Sequence, residues 1–526
     1  MTRGRGDTAT RRHGELSTEN CQQTINSESQ RLRHRLTACL VVAVVAALPI
    51  GVYWGALHAG FFSDDYTWLG RMEPTLLKPV YVFSIFYRDF NPMLHASFVL
   101  DYVAGGGGPV AFHITSLAIH AASSALLAAL LLRMGIGLWT AAAATLLWAL
   151  NVRISECVIW PSARGHSLVT LFVLAGMLCL LGTRRWRIWG TAAMFLLGLL
   201  SKELAFPPML VLPLIVWMRR RRAGAGSCSY SDLVPTGVLA AIFITSEALL
   251  VPPAYAHKSL GDLALKAPFV LLRPIGLGDM YTFTFASLGL FLAVMIGALL
   301  LLRRTTALIG FAWLLLCSVP IIPLEKLSSR YLYLLSIGYV FVLCGLVEWV
   351  RSRPGSAVFR RFAAVGAVTI AVLLLAANGV WTQREIDDYT ALSEPYARCA
   401  QILRVPALEL APAETLVIVD VSRRDDAAAM MALVKSRGTI AKLIPYREHA
   451  VGGLIVLRDA VNIARRGSGG LLAAPVDLAE PGPLRVYAYD GHAVYKLEAL
   501  PLAPADRVFA VRLGPPSAYF ANPGRI

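Results

Sequence analysis

Two adjacent carboxylates, Asp64 and Asp65, stand within Phe61-Phe62-Ser63-Asp64-Asp65-Tyr66-Thr67-Trp68-Leu69, directly after the first long apolar run, Leu36 to Leu57. Aromatic residues at such a point have a plain explanation, because Trp and Tyr gather at membrane interfaces. A carboxylate pair does not, and repulsion between close like charges raises one of the two pKa values. Such a carboxylate can serve as a general base, taking the proton of a hydroxyl as its oxygen attacks, if it lies within hydrogen-bond reach. Further along, Arg164, Lys202 and Arg330 are candidates to stabilise charge developing on a departing phosphate. The planar arginine fork suits that task because it binds phosphate bidentately. An acidic base, a cationic phosphate clamp and apolar helices for a lipid tail are the parts needed for sugar transfer from a polyprenyl-phosphate sugar donor.

These residues need a scaffold, and the composition says which kind. The 526 residues are 56% hydrophobic and 16% charged, with a mean hydropathy of +0.59. A soluble domain is nearer half apolar and a quarter charged. The excess is blocked into runs of bilayer-crossing length, so the fold class is an α-helical polytopic membrane protein. A net charge of +16 would suggest nucleic acid in a soluble chain. Here the arginines cluster between apolar runs, which membrane orientation explains and which leaves nucleic acid without a role.

About eleven transmembrane helices are expected, near 36–57, 110–132, 138–150, 166–182, 188–201, 204–218, 234–251, 284–302, 306–322, 331–350 and 362–381. If the first runs outward, one set of turns carries every compact arginine cluster: Arg133, Arg184 to Arg187, Arg219 to Arg222, Arg303-Arg304, and Arg351 to Arg361. That set is cytoplasmic by the excess of basic residues, and places the protein in the cell's inner or plasma membrane. Residues 1–35 read as a disordered cytoplasmic tail, residues 36–381 as the membrane domain, and residues 382–526 as a small extracytoplasmic α/β domain. Within the last, Thr415 to Asp420 reads as a buried strand, Asp425 to Lys435 as a helix, and Arg485 to Leu497 as a hairpin turning on Asp490-Gly491.

The opposite loops carry sparse charges of mixed sign: Asp64-Asp65, Glu156 through His166, Ser201-Lys202-Glu203, Pro252 to Lys266, and Glu325 through Tyr331. Ionisable groups at span ends commonly mark a functional cavity, although any one of them could be a snorkelling anchor. Glu156, Glu203 and Tyr331 are the further candidates to line that cavity. His113 and His120 lie seven apart on one helix face; a metal site there would need more ligands nearby, and polar packing or contact with the donor is the simpler expectation. The eight cysteines are scattered and form no C-x-x-C pair, so neither a disulfide framework nor a cysteine metal site is expected. Gly105 to Gly108 lack the strand and Lys-Ser/Thr context of a phosphate cradle and read as a linker.

Four stretches resemble the GT-C class of membrane glycosyltransferases, in particular protein O-mannosyltransferases and the transmembrane O-mannosyltransferases with tetratricopeptide repeats. Phe61 to Tyr66 is similar to the acidic pair of the first outer loop. His113-Ile114-Thr115-Ser116-Leu117-Ala118-Ile119-His120 looks like the His-rich start of the second span. Glu156 to Gly165, followed by Ser201-Lys202-Glu203, is similar to the loop that carries Glu, an aromatic and Arg. Arg330-Tyr331-Leu332-Tyr333 looks like the segment opening a late span. The repeat array is absent, and Asn91-Pro92 stands where such sequences often have Arg-Pro.

By that resemblance Asp64 is the catalytic carboxylate and Asp65 its partner, orienting it or helping to hold a divalent cation. Arg164, Lys202 and Arg330 would face the donor phosphate, and the acceptor would be a protein, lipid or glycan. The rival reading is a transporter or flippase of lipid-linked glycans, which would use the loop charges for passage. Transporters often show paired halves with matching helix breaks. The sequence has no such similarity between halves.

Overall fold

In the computed structural model, the residues described are 30, 32–33, 35–62, 64–69, 71–84, 90–182, 186–223, 229–250, 266–275 except 269, a few between 293 and 300, 304–324, 327–352, 357–408, and seven strands from 415 onward. The helix α1 (Arg35–Val52) passes through a 3-10 turn, Trp54–His58, to the short α2 (Asp64–Leu69). Next come α3 (Pro92–Gly105) and α4 (Pro109–Arg133), joined by a turn in which Gly106 and Gly107 have positive φ. Pro at the first position of each helix sits where its missing N–H is no loss.

After α4, Gly135 takes φ +82° and lets the chain reverse into α5 (Leu138–Ala149). This helix has 12 residues, and Asn151 stops it. The Asn151 side chain accepts from the Arg153 amide at 2.9 Å and donates to the Pro274 carbonyl at 2.8 Å. Then follow α6 (Arg164–Leu180), α7 (Arg187–Leu199), α8 (Leu212–Ala223), α9 (Val234–Leu250), α10 (Thr305–Ser318), α11 (Ile337–Arg351) and α12 (Ala357–Leu408).

Among the described residues, four helical stretches are long and apolar enough to cross a membrane: Arg35–Val52, Pro109–Arg133, Pro161–Leu180 and Ala364–Glu394. The bent pair Ser329–Leu335 and Ile337–Arg351, broken by 43°, makes up to five. The chain is an integral membrane protein. Several of the expected crossings are shorter apolar helices, Leu138–Ala149, Arg187–Leu199, Tyr230–Ser246 and Thr305–Ser318. The expected span 204–218 is broken into Glu203–Ala205, Phe206–Met209 and Leu212–Ala223. Pro207 and Pro208 explain the break, since proline removes a donor and crowds the preceding turn. Most of the expected span 284–302 and of the loop from Pro252 to Lys266 lies outside the described residues.

One core runs through the helices, with Trp313, Phe195, Phe341 and Leu127 wholly enclosed. Lipid is as apolar as leucine, so helices associate in it through close packing and interhelical hydrogen bonds. The Trp313 indole donates to the Leu334 carbonyl at 2.9 Å. At the bend, Ser336 accepts from the Trp148 indole at 3.0 Å and donates to the Tyr333 carbonyl at 3.0 Å.

Beyond α12, β1 (Thr415–Asp420), β2 (Gly453–Leu457), β3 (Leu471–Pro475), β4 (Leu484–Tyr489), β5 (Val494–Leu497), β6 (Ala499–Pro501) and β7 (Val508–Arg512) form two sheets. The first has the order β2-β1-β4-β5, with β1 parallel to both neighbours and β4 antiparallel to β5; the second is the antiparallel β3-β7-β6. The helix expected over Asp425 to Lys435 lies outside the described residues.

Helices α10 and α11 touch backbone to backbone. A Cβ on Gly310 would come within 2.7 Å of the Gly338 carbonyl oxygen and of the Val342 amide nitrogen. Gly310→Val must therefore push the two helices apart, with an expected loss of about 1–3 kcal/mol or more. A drop in the melting midpoint of the detergent-solubilised protein checks this; a midpoint equal to wild type would rule out the close approach.

Candidate active site

The two adjacent aspartates have opposite environments. Asp64 opens α2 and is exposed, whereas Asp65 is fully buried. One oxygen of Asp65 accepts from the Ser162 amide at 2.8 Å and the Ser162 hydroxyl at 2.5 Å. The other accepts from the Phe62 amide at 2.9 Å and the Tyr389 hydroxyl at 3.2 Å. Burial pushes this carboxyl up to about 7, against the pull of the hydrogen bonds from Ser162, Phe62 and Tyr389. Asp65 thus holds the loop while Asp64 faces out from it. Phe62 packs edge-on against Trp160, Tyr389 and Tyr396, and Tyr66 stacks on Tyr396 with ring centres 6.1 Å apart.

The next loop docks on this one. The Trp160 indole donates to the Phe62 carbonyl at 3.3 Å, and the Arg330 guanidinium lies over the Trp160 ring at 5.1 Å and over Tyr331 at 5.5 Å. Glu156 fixes Arg330 from behind. Its carboxylate accepts from the Ser328 hydroxyl at 2.5 and 2.6 Å and from the Arg330 amide at 2.9 Å, capping the 3-10 turn Ser329–Tyr331. Glu156 is therefore a brace between loops, with both carboxylate oxygens in contact with protein donors.

Tyr331 meets the buried His166 ring edge-on at 5.1 Å, and both Arg330 and Lys202 lie within electrostatic reach of that ring. Lys202 also pairs with the exposed Glu203 at 3.6 Å, and its side chain passes close to Gly165. Asp64, Phe62, Trp160, Arg330, Tyr331, His166 and Lys202 thus form one chain of neighbours. Behind Tyr331 lies a tight apolar seam that includes Leu204, Pro207 and Leu335. Glu325 and Lys326 lie outside the described residues.

Three expected site residues are enclosed in the core rather than presented at the loop surface, although Arg164 lies within electrostatic reach of Asp65. Arg164 is fully buried, and every nitrogen of its guanidinium is engaged by protein: the Asp101 carboxylate at 2.5 Å, Ser97 and Ser116 hydroxyls at 3.1 Å each, and the Phe112 carbonyl at 2.5 Å. It also lies over the Phe98 ring at 5.0 Å. A buried charge requires such matching, so Arg164 ties α3, α4 and α6 together with every guanidinium nitrogen turned to protein. His120 accepts from the Tyr333 hydroxyl at 2.6 Å and donates to the Ala149 carbonyl at 2.9 Å, inside a cluster with Tyr53 and Trp148. This fixes one neutral tautomer in the core rather than in a cavity. His113 is equally buried, with neither ring nitrogen in a hydrogen bond of good geometry. Among the described residues, no cluster of three His, Cys, Asp or Glu side chains could hold a metal ion.

Several contributors escaped the sequence reading. Asp101 had a signal, a lone carboxylate within an apolar helix, which in a membrane demands a partner. Ser162 and Trp160 lay in the loop already singled out. Tyr389 had no signal at all, since it reaches Asp65 from 324 residues away.

No family model matches the sequence. The chain is similar to GT-C-class membrane glycosyltransferases. It is 29% identical over 167 residues to the human protein O-mannosyl-transferase TMTC2, an alignment covering 28% of this chain and 20% of that protein. The chain thus matches about a fifth of the length of that relative. Two solved structures are also similar. ArnT from Cupriavidus metallidurans in the apo state shares 15% identity at a TM-score of 0.43, over 84% of this chain and 93% of that one. ArnT from the same organism bound to undecaprenyl phosphate shares 13% identity at a TM-score of 0.45, over 90% and 97%.

Two predictions follow from the buried charges. Asp65 binds its proton more tightly folded than unfolded, so its contribution to stability is complete below its ordinary value of 3.8 and is lost as pH climbs through about 7. The melting midpoint should fall between pH 5 and pH 8, and Asp65→Asn should flatten that slope; an unchanged slope in the variant would assign the effect elsewhere. Asp101→Ala leaves Arg164 charged and unpaired, which should cost about 3–5 kcal/mol. Chemical unfolding in detergent measures this, and a loss below about 1 kcal/mol would mean the pair is dispensable.

Proposed function

We propose that the protein transfers a sugar from a polyprenyl-phosphate donor to an acceptor hydroxyl at the extracytoplasmic face. The acceptor oxygen attacks the anomeric carbon from the side opposite the phosphate and inverts it. A new C–O bond forms as the bond from that carbon to the phosphate oxygen breaks. Asp64 takes the hydroxyl proton, and polyprenyl phosphate leaves with the bonding electrons. Arg330 and Lys202 face the phosphate and offset its charge, a task the cationic guanidinium and ammonium perform well away from bulk water. Asp65 positions Asp64 by anchoring the loop rather than by touching substrate.

The observation that carries this reading is the contrast between neighbours. Asp65 is sunk among four donated hydrogen bonds, which leaves Asp64 presented on a fixed backbone beside the loop that bears Arg330. The arginine-rich helix ends at Arg219 to Arg222, Arg304 and Arg351 lie away from that loop. This agrees with a cytoplasmic basic side and an outward-facing site. The similarity to an O-mannosyl-transferase points to the same class of reaction. In this reading, residues 382–526 belong to the outer face and meet the acceptor.

The test uses the purified protein with a polyprenyl-phosphate sugar and follows product formation. Asp64→Asn should lower transfer about 100- to 10,000-fold while donor binding and the melting midpoint stay close to wild type. Transfer at the wild-type rate by this variant would remove Asp64 from the role of base.

A further inference from the structure

At the helix ends remote from Asp64, Arg222, Arg304, Thr305, Glu348, Arg351 and Ser352 line an open pocket of about 440 Å³. Arg222 comes from the last turn of α8, Arg304 precedes the first residue of α10, and Arg351 closes α11. Three guanidiniums face one carboxylate. Glu348 is already occupied, pairing with Arg222 at 3.3 Å and accepting from the Thr306 hydroxyl at 2.9 Å. Arg304 donates only to the neutral Ser352 hydroxyl. Arg351 lies against Gly137, where an added Cβ would come within 3.3 Å of a guanidinium nitrogen. Among the described residues, neither Arg304 nor Arg351 has an acidic partner.

Basic residues at these ends satisfy the rule that orients membrane proteins. Orientation requires only that they lie on one side; it does not require three of them to converge on one concavity. Convergence of like charges around an open space instead favours an anion within it; the first N–H groups of α10 add to that field, while the carbonyl ends of α8 and α11 offset part of it.

Depth in the membrane narrows the choice. Trp139 opens α5 just after Gly137 and is 72% exposed; Trp186 and Trp189, at the start of α7, are 76% and 65% exposed. Bare indoles at helix ends mark the headgroup layer. We propose that this pocket binds a phosphate group, presented by the headgroup of an anionic lipid in that leaflet. Arg304 and Arg351 grip the phosphate and Glu348 limits the affinity. The site needs only membrane embedding, and it stands or falls independently of the transfer reaction.

The experiment measures the melting midpoint of the full chain in detergent while phosphatidylglycerol, phosphatidylcholine or inorganic phosphate is titrated in. Phosphatidylglycerol should raise the midpoint and phosphatidylcholine should not. The double variant Arg304→Gln/Arg351→Gln should need about tenfold more phosphatidylglycerol, or more, for the same shift. Glu348→Gln should need less, which reads the site in the opposite direction and guards against a merely misfolded variant. Equal responses of wild type, double variant and Glu348→Gln would overturn the site. A shift by inorganic phosphate equal to that by phosphatidylglycerol would overturn the lipid as its source.

Discussion

A polar group taken out of water must be hydrogen-bonded at the place where it sits, and the buried Asp65 carboxyl gathers its donors from three separate parts of the chain. Its donors come from its own loop, from Ser162 and from Tyr389, positions separated by 97 and 324 residues. The acidic loop, the second polar loop and the helix α12 are therefore tied by one side chain. That carboxyl acts beside the Trp160–Phe62 and Gly60–Ser393 hydrogen bonds and the packing of Phe62 and Tyr66, which together hold the backbone that carries Asp64.

The same rule recurs away from the acidic loop. Arg164 and Asp101 close an ion pair in which each remaining guanidinium nitrogen also finds an oxygen, fastening three helices. Glu156 caps the turn that carries Arg330. His120 spends both ring nitrogens on Tyr333 and Ala149. Polar groups in a membrane protein can thus look alike in sequence and divide sharply in use. Those with every bonding position satisfied by protein are structural, and those left facing outward, such as Asp64, are available to a substrate.

Membrane class, the acidic pair and the loops converging on it could be read from residue types and from runs of apolar sequence. Most helix bounds could be read as well: the spans expected over 110–132, 138–150 and 188–201 are Pro109–Arg133, Leu138–Ala149 and Arg187–Leu199. The single span expected over 204–218 could not, because apolar residues continue past Pro207 and Pro208 whereas one hydrogen-bonded helix does not. Helical spacing placed His113 and His120 on one face, but spacing says nothing of what packs against that face. For Arg164, charge and loop position suggested a phosphate ligand; its partner Asp101 lies 63 residues earlier. The strand over residues 415–420 and the pairing of β4 with β5 were accessible because alternation and an Asp-Gly turn are local signals. Contacts made by Tyr389 and Tyr396 are long-range and leave no such trace.

The final helix runs unbroken for 52 residues, from Ala357 to Leu408, roughly 78 Å at the usual rise of 1.5 Å per residue. Along it, Gln383 donates to the Val52 carbonyl at 2.6 Å, Tyr389 reaches Asp65, and the Ser393 hydroxyl accepts from the Gly60 amide at 3.0 Å. These three attachments fasten the helix to the segment that runs from the end of α1 through the acidic loop, so the position of one cannot change there without the other.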